Sequence, residues 1–439
     1  MFMELSQEVY KRRRDALMER MDDGIMILPS NPESIMSNDV HYVYRQNSNV
    51  IYLTGFKEPN TVVILLKKDE EQKFIMFVPP RDPATEIWNG RREGVEGAKK
   101  RFHADDAFSI ESIEEQLPEL INGSQKLYYT FSVNPEIDEL VLKLQNELKQ
   151  KRGYSFPTHI IDPEPLLHEM RLIKSKEEIE IMKKGSKISI EAHLEAIKST
   201  KPGMFEFEIE AIYDYIFKKN GAKRAAYPSI VGSGKNATIL HYITNDSELR
   251  EGDLLLVDAG CEYNDYAIDI TRTWPISGKF SETQKTIYQI VLSIQEECIE
   301  KCLEGAKFGD LHDHCVKRIS EELINIGLLE GPVEKVIEEE TYKKFFMHGL
   351  GHNLGIDTHD VSRIPLKETI LKEGMVVTIE PGIYIPDSEE IPEEYRGIGV
   401  RIEDDIVITK NGPLNLTDAL PKSIEEIENL VGNGQLFKD

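Results

Sequence analysis

Scarcities limit what this chain can be. It has four cysteines, Cys261, Cys298, Cys302 and Cys315, with none before Cys261 and no C-x-x-C pair. That argues against a disulfide scaffold and fits a reducing cytosol. No run approaches the roughly 18 to 20 apolar residues of a membrane-spanning helix, so no membrane partner is expected. The opening residues, Met1 to Glu8, show neither a basic leader with an apolar stretch nor a small-residue cleavage site. The expected location is therefore cytoplasmic. Positive charge is also short: 53 Lys and Arg against 78 Asp and Glu leave a formal net charge of -25. This opposes phosphate backbones, and nucleic acid is not an expected partner. The one basic cluster, Lys11 to Arg14, is flanked by Glu8, Asp15 and Glu19 and reads as a solvated helix face. No short-period repeat is visible.

At 439 residues the chain exceeds what one core supports, so at least two domains are expected. Residues 24–28, 61–66 and 73–78 read as strands, and Ile137 to Lys149 as an amphipathic helix, which together predict an N-terminal α/β domain. A proline-containing connection, Asp162-Pro163-Glu164-Pro165, follows it. Ser175-x-x-Glu178 then caps a long helix running towards Ser199. The boundary is placed near residue 171, giving domains 1–170 and 171–439. Cys298 and Cys302 continue the helical period Ile287, Val291, Ile294 behind a Ser281-x-x-Gln284 capping box and read as small core residues. Cys302, His312, His314 and Cys315 match no common zinc spacing.

The chemistry concentrates in the second domain. Asp258 and Asp269 lie in two β-rich runs joined by a polar turn, with a midpoint at 263.5. If the runs pair antiparallel about it, the two carboxylates stand opposite, about 5 Å apart, where like charges repel. A cation is required to hold them. Residues 376–385 and 399–408 form a second such pair, with Glu380 and Glu403 in their middles. Glu380, among Val376, Val377 and Ile379, would be costly to bury unpaired. Asp404 and Asp405 are acids without an evident duty. Between the pairs, His348, His352 and His359 fall within a glycine-rich stretch. One imidazole suits a metal; the others suit hydrogen bonding to a substrate carbonyl or proton transfer. His241 is a fourth candidate. Asp258, Asp269, His352, Glu380 and Glu403 together predict a two-metal hydrolase.

Several stretches carry a family resemblance: Val257-Asp258-Ala259-Gly260, Asp269-Ile270-Thr271-Arg272-Thr273-Trp274, His348-Gly349-Leu350-Gly351-His352, Glu380-Pro381-Gly382-Ile383-Tyr384 and Gly399-Val400-Arg401-Ile402-Glu403-Asp404. With Tyr44 to Asn49, Tyr52 to Phe56 and Glu86 to Arg92, the chain resembles the Xaa-Pro aminopeptidases, or aminopeptidases P, over nearly its whole length. The resemblance implies a creatinase-like α/β domain followed by a pita-bread α+β catalytic domain holding two divalent ions, most often manganese. By position, Asp258 would bind one ion alone, Asp269 and Glu403 would bridge both, and His352 with Glu380 would complete the second. The implied reaction is attack of a metal-bridging hydroxide on the bond before a proline in second position, with Glu380 accepting the proton. His241, His348 and His359 would contact substrate or the tetrahedral intermediate. Arg401 would steady the site, and Tyr384 would help form the proline pocket. Trp88 and Asp39 resemble N-domain positions that reach a neighbouring subunit's site in oligomeric relatives, which implies a homodimer or homotetramer. The rival readings are a prolidase acting on Xaa-Pro dipeptides and, from another class, a catalytically silent pita-bread binding module.

Overall fold

The computed structural model describes residues 5–69 and 71–434. The chain divides into two compact units, one reaching to Arg171 and one beginning at Leu172. The first is built on a six-stranded mixed sheet. Gly24–Pro29 lies near its middle, antiparallel to Val62–Lys68 and parallel to Lys126–Tyr128. Ile25, Ile27, Ile64 and Phe77 of the sheet pack with Leu140, Val141 and Leu144 of the helix Pro135–Gln150. Asn134 caps that helix by accepting hydrogen bonds from the amides of Glu136 and Ile137.

The basic cluster departs from its expectation. In the helix Gln7–Arg20, Arg13 and Arg14 share a buried face with Val9, Leu17 and Met18. Their Nη1 atoms donate to the carbonyls of Tyr52 (2.9 Å) and Leu53 (2.8 Å). Those carbonyls close the helix Ser48–Thr54, where no intrahelical donor remains. The guanidiniums also stack 4.2 Å over Tyr52 and 3.9 Å over Phe74. Only Lys11 and Arg12 face solvent.

The second unit repeats an order of two helices and then an interrupted hairpin. Lys176–Ser199 packs on Glu206–Lys219, and Glu282–Glu300 on Phe308–Asn325. The capping boxes at Ser175 and Ser281 are both formed, and all four cysteines are buried and free. In the first hairpin Asp258 faces Thr271 and Glu262 faces Ala267. The centre of pairing is therefore 264.5, not 263.5. Asn264 (φ 47°) and Asp265 (φ 70°) form a two-residue left-handed turn, and that turn sets the register. Asp269 is consequently two positions from the residue opposite Asp258, which preserves the shared face but not the direct pairing. In the second hairpin Ile379 faces Asp404 and Gly382 faces Arg401. One register runs through both short ladders, and Glu380 and Glu403 occupy the same rung between them.

Candidate metal centre

All four carboxylates sit where a ladder ends or is interrupted. Asp258 ends the strand Leu254–Asp258, Asp269 precedes Thr271–Pro275, and Glu380 and Glu403 fill the gap in the second hairpin. At Gly260 the strands approach so closely that an added Cβ would lie 1.6 Å from the Ile268 carbonyl oxygen. The two hairpins are stitched together. The Glu403 amide donates to the Thr271 carbonyl (3.0 Å), and the Asp269 amide donates to Asp405 Oδ2 (3.3 Å). Fully buried Arg272 donates to the Glu403 carbonyl (2.6 Å) and to Asp404 Oδ1 (2.7 Å). Asp404, without an evident duty in the sequence, thus neutralises a buried arginine.

The loop carrying His348, His352 and His359 lies against Val376–Ile379. Gly351 permits this, because an added Cβ there would lie 1.9 Å from the Thr378 carbonyl oxygen. The His352 amide donates to Thr378 Oγ1 (3.0 Å), and that hydroxyl donates to Glu380 Oε1 (3.4 Å). With Nδ1 directed to the Asn353 carbonyl (3.0 Å), His352 Nε2 lies 3.3 Å from Asp269 Oδ2 and 3.7 Å from Glu380 Oε1. Ligand atoms of Asp269, His352 and Glu403 fall within 4.8 Å of one another, the only such group among the described residues. Asp258 joins through Tyr227, whose hydroxyl reaches Asp258 Oδ1 (2.6 Å) and Asp269 Oδ1.

The electrostatics show what this arrangement lacks. Burial, then the charge of Asp269, pushes Asp258 up to about 6. Burial pushes Glu380 up to about 7 and, with Asp269, Glu403 well above the carboxylate range. Asp269 is held low despite its burial, because His352 and Tyr227 donate to it. His352 is raised to about 9 against its own burial by Asp269 and Glu380. Three buried acids and the partly buried Glu380, with one imidazole, suit hard divalent cations, whose charge would release the retained protons. The residues fit a metal centre.

A second chain of polar groups backs it. Arg401 donates to Asp258 Oδ2 (2.7 Å), Thr271 Oγ1 (3.1 Å) and the Tyr384 hydroxyl (3.0 Å), and Thr271 Oγ1 donates to Glu403 Oε2 (2.6 Å). His348 Nε2 lies 2.8 Å from the Tyr384 hydroxyl, and its Nδ1 2.7 Å from the Gly349 carbonyl. Burial and Arg401 depress His348 to about 3, so it is neutral, with the proton on Nδ1. His241 and His359 line the same cavity, about 790 Å³ in volume. Trp88, 86% exposed, and Asp39, also exposed, belong to the first unit. Tyr227, Thr271 and Thr378 were missed as site residues. The motif Asp269-Ile270-Thr271 contained one of them, and nothing in spacing marked the other two.

Residues 180–410 match metallopeptidase family M24, and residues 10–129 the aminopeptidase P N-terminal domain. The chain is 42% identical over 429 residues to the Xaa-Pro aminopeptidase of Haemophilus influenzae, covering 97% of this chain and 98% of that one. It is 34% identical over 443 residues to human Xaa-Pro aminopeptidase 3, with 97% and 86% covered. The solved aminopeptidase of Pseudomonas aeruginosa superposes with a TM-score of 0.95 at 43% identity over 98% of both chains. A two-domain plan, a pita-bread catalytic fold and a carboxylate-rich centre agree with these matches, and the chain belongs to metallopeptidase family M24, with an aminopeptidase P N-terminal domain ahead of its catalytic domain.

Proposed function

We propose that this chain is an Xaa-Pro aminopeptidase, releasing the N-terminal residue of peptides whose second residue is proline. The observation that carries the reading is the convergence of Asp269, His352 and Glu403 within 4.8 Å, in a chain 42% identical over nearly its full length to a relative of that name. Asp258, Asp269, His352, Glu380 and Glu403 would hold two divalent ions, with manganese favoured by the oxygen-rich set; a zinc-substituted form of the Escherichia coli enzyme has been solved in complex with product. Such ions lower the pKa of water and polarise a carbonyl.

The protein's own groups supply the rest. Glu380, beside His352 and in reach of the cavity, accepts the proton of the attacking water and returns it to the leaving proline nitrogen. Neutral His348 meets the proline side of the substrate and is backed by the hydroxyl of Tyr384, which is buried behind it and does not line the cavity, while His241 and His359 face the carbonyl. Arg401 fixes Asp258 and Tyr384 in one orientation. Domains 1–170 and 171–439 divide the work into assembly and chemistry. Homodimer or homotetramer formation is supported by apolar side chains on the first unit, such as Val43 (78% exposed), Ile87 (80%) and Trp88 (86%). Four buried free thiols support a cytoplasmic setting.

The test uses metal-stripped protein with Ala-Pro-Ala and Ala-Pro, adding Mn2+ and then chelator. Manganese-dependent release of alanine from the tripeptide is the expected result. Turnover of the dipeptide alone would mean a prolidase, and turnover of neither would overturn the peptidase reading.

A further inference from the structure

One wall of the cavity, formed by Leu240, His241 and Ile243, lies on a segment whose only regular structure is the short turn Gly234–Thr238. Ile239 (54% exposed) and Ile243 (56%) face outward, and apolar packing reaches the segment only through Ala237, Leu240 and Tyr242. A single carboxylate does more. Glu206, the first residue of the helix Glu206–Lys219, is fully buried and accepts five hydrogen bonds, two from Ser233 at the end of the strand leading into this segment and three from the segment itself. Its Oε1 accepts from the Ser233 amide (2.7 Å), Ser233 Oγ (2.7 Å) and Asn236 Nδ2 (3.1 Å). Its Oε2 accepts from the Tyr242 hydroxyl (2.8 Å) and the Ser247 amide (3.0 Å). Five donors saturate the roughly four lone-pair directions of a carboxylate, and the position at a helix N-terminus favours its charge. The donors flank His241 on both sides, and the nearest, Tyr242, is its neighbour in sequence. The Tyr242 ring packs with Ile230, Leu256 and Tyr384 beneath the cavity. One turn further along the helix, Glu210 Oε2 accepts from Asn245 Nδ2 (3.0 Å), reinforcing the same segment.

We propose that Glu206 is a positioning residue for His241: it ties both ends of the His241 segment to one buried anion and so fixes that imidazole against the substrate. This rests on the peptidase reading above. Glu206→Gln tests it sharply. An amide keeps one acceptor oxygen and presents an NH2 in place of the other, so in either orientation a backbone amide, of Ser233 or of Ser247, faces a donor. Misplacement of a positioned group by about 1 Å costs up to roughly a hundredfold, so kcat/KM should fall by about ten- to a hundredfold.

The experiment is a double-mutant cycle of Glu206→Gln and His241→Ala with Ala-Pro-Ala and Mn2+, accompanied by amide hydrogen exchange. If Glu206 acts through His241, Glu206→Gln has little further effect in the His241→Ala background. Exchange should quicken in residues 234–247 and stay unchanged in 254–275. Tyr242→Phe, which removes one donor and keeps the ring, should give the same pattern at smaller amplitude. Equal fold-losses in both backgrounds, an unaffected kcat/KM, or exchange that rises everywhere or nowhere would overturn the proposal. Should the wild-type protein fail to cleave the peptide, the peptidase reading falls, while local exchange still decides whether Glu206 orders the segment.

Discussion

Replacing Tyr227 by Phe removes one oxygen and keeps the ring, which makes it the cleanest probe of the metal centre. The hydroxyl is shared between Asp258 Oδ1 and Asp269 Oδ1, two buried like charges. Burial, and then those two carboxylates, push the phenol pKa well above its usual value, so it is a donor at any working pH. A hydrogen bond to a charged acceptor contributes about 1.5 to 3 kcal/mol. At about 1.4 kcal/mol per decade this corresponds to a roughly ten- to 150-fold loss in metal affinity. Removal of a group that orients a metal ligand typically costs about 10- to 100-fold, so two independent routes agree. Calorimetric titration of stripped protein with Mn2+ reads the affinity, and hydrolysis at saturating Mn2+ separates that loss from any loss of turnover. A Kd for Mn2+ within about twofold of the wild-type value would refute the view that Tyr227 orients Asp258 and Asp269 for metal.

Two further tests address the supporting structure. His193 is fully buried, with Nε2 3.0 Å from the Ala259 carbonyl and Nδ1 2.8 Å from the Tyr213 hydroxyl, and burial pushes its pKa down to about 3. The unfolded chain binds that proton below about pH 6.5, so the stability contributed above 6.5 is lost as pH falls towards 3. The loss is about 2 kcal/mol at pH 5 and about 4 to 5 at the limit. Urea unfolding at pH 7 and 5 should show a smaller pH slope for His193→Gln than for wild type, and equal slopes would refute the assignment. Lys174 and Asp360 form a pair at 2.9 Å with both side chains 1% exposed. Lys174→Met should cost about 3 to 5 kcal/mol in a denaturant titration, with much of it recovered by adding Asp360→Leu. A cost below about 1 kcal/mol would mean that the pair behaves as a surface one.

The four acids proposed as ligands were legible in the sequence because each combines a charge with a β-rich neighbourhood that disfavours it, as Glu380 does among Val376, Val377 and Ile379. The exact pairing was less legible. Counting from the acids put the centre of the first hairpin between Asp258 and Asp269, whereas the left-handed pair Asn264 and Asp265 moves it by one residue. The shared face survived because the shift moves the partner by two. Tyr227 left no trace, since it sits outside the strands and its role arises only once two distant aspartates meet. Arg13 and Arg14 misled because charge alone says nothing of carbonyls waiting at the end of another helix. Glu206 was equally silent, as its five donors come from residues 233 to 247.

The two hairpins differ in how they close. The first turns through two residues and admits no change of length without dragging Asp258 and Asp269 out of step. The second closes through residues 385–398, while the ladders on either side of Glu380 and Glu403 keep those two aligned. Insertions and deletions there leave the chemistry in place and reshape only what surrounds it. Of the two halves, the second is the one whose closing loop can change length without shifting its carboxylates.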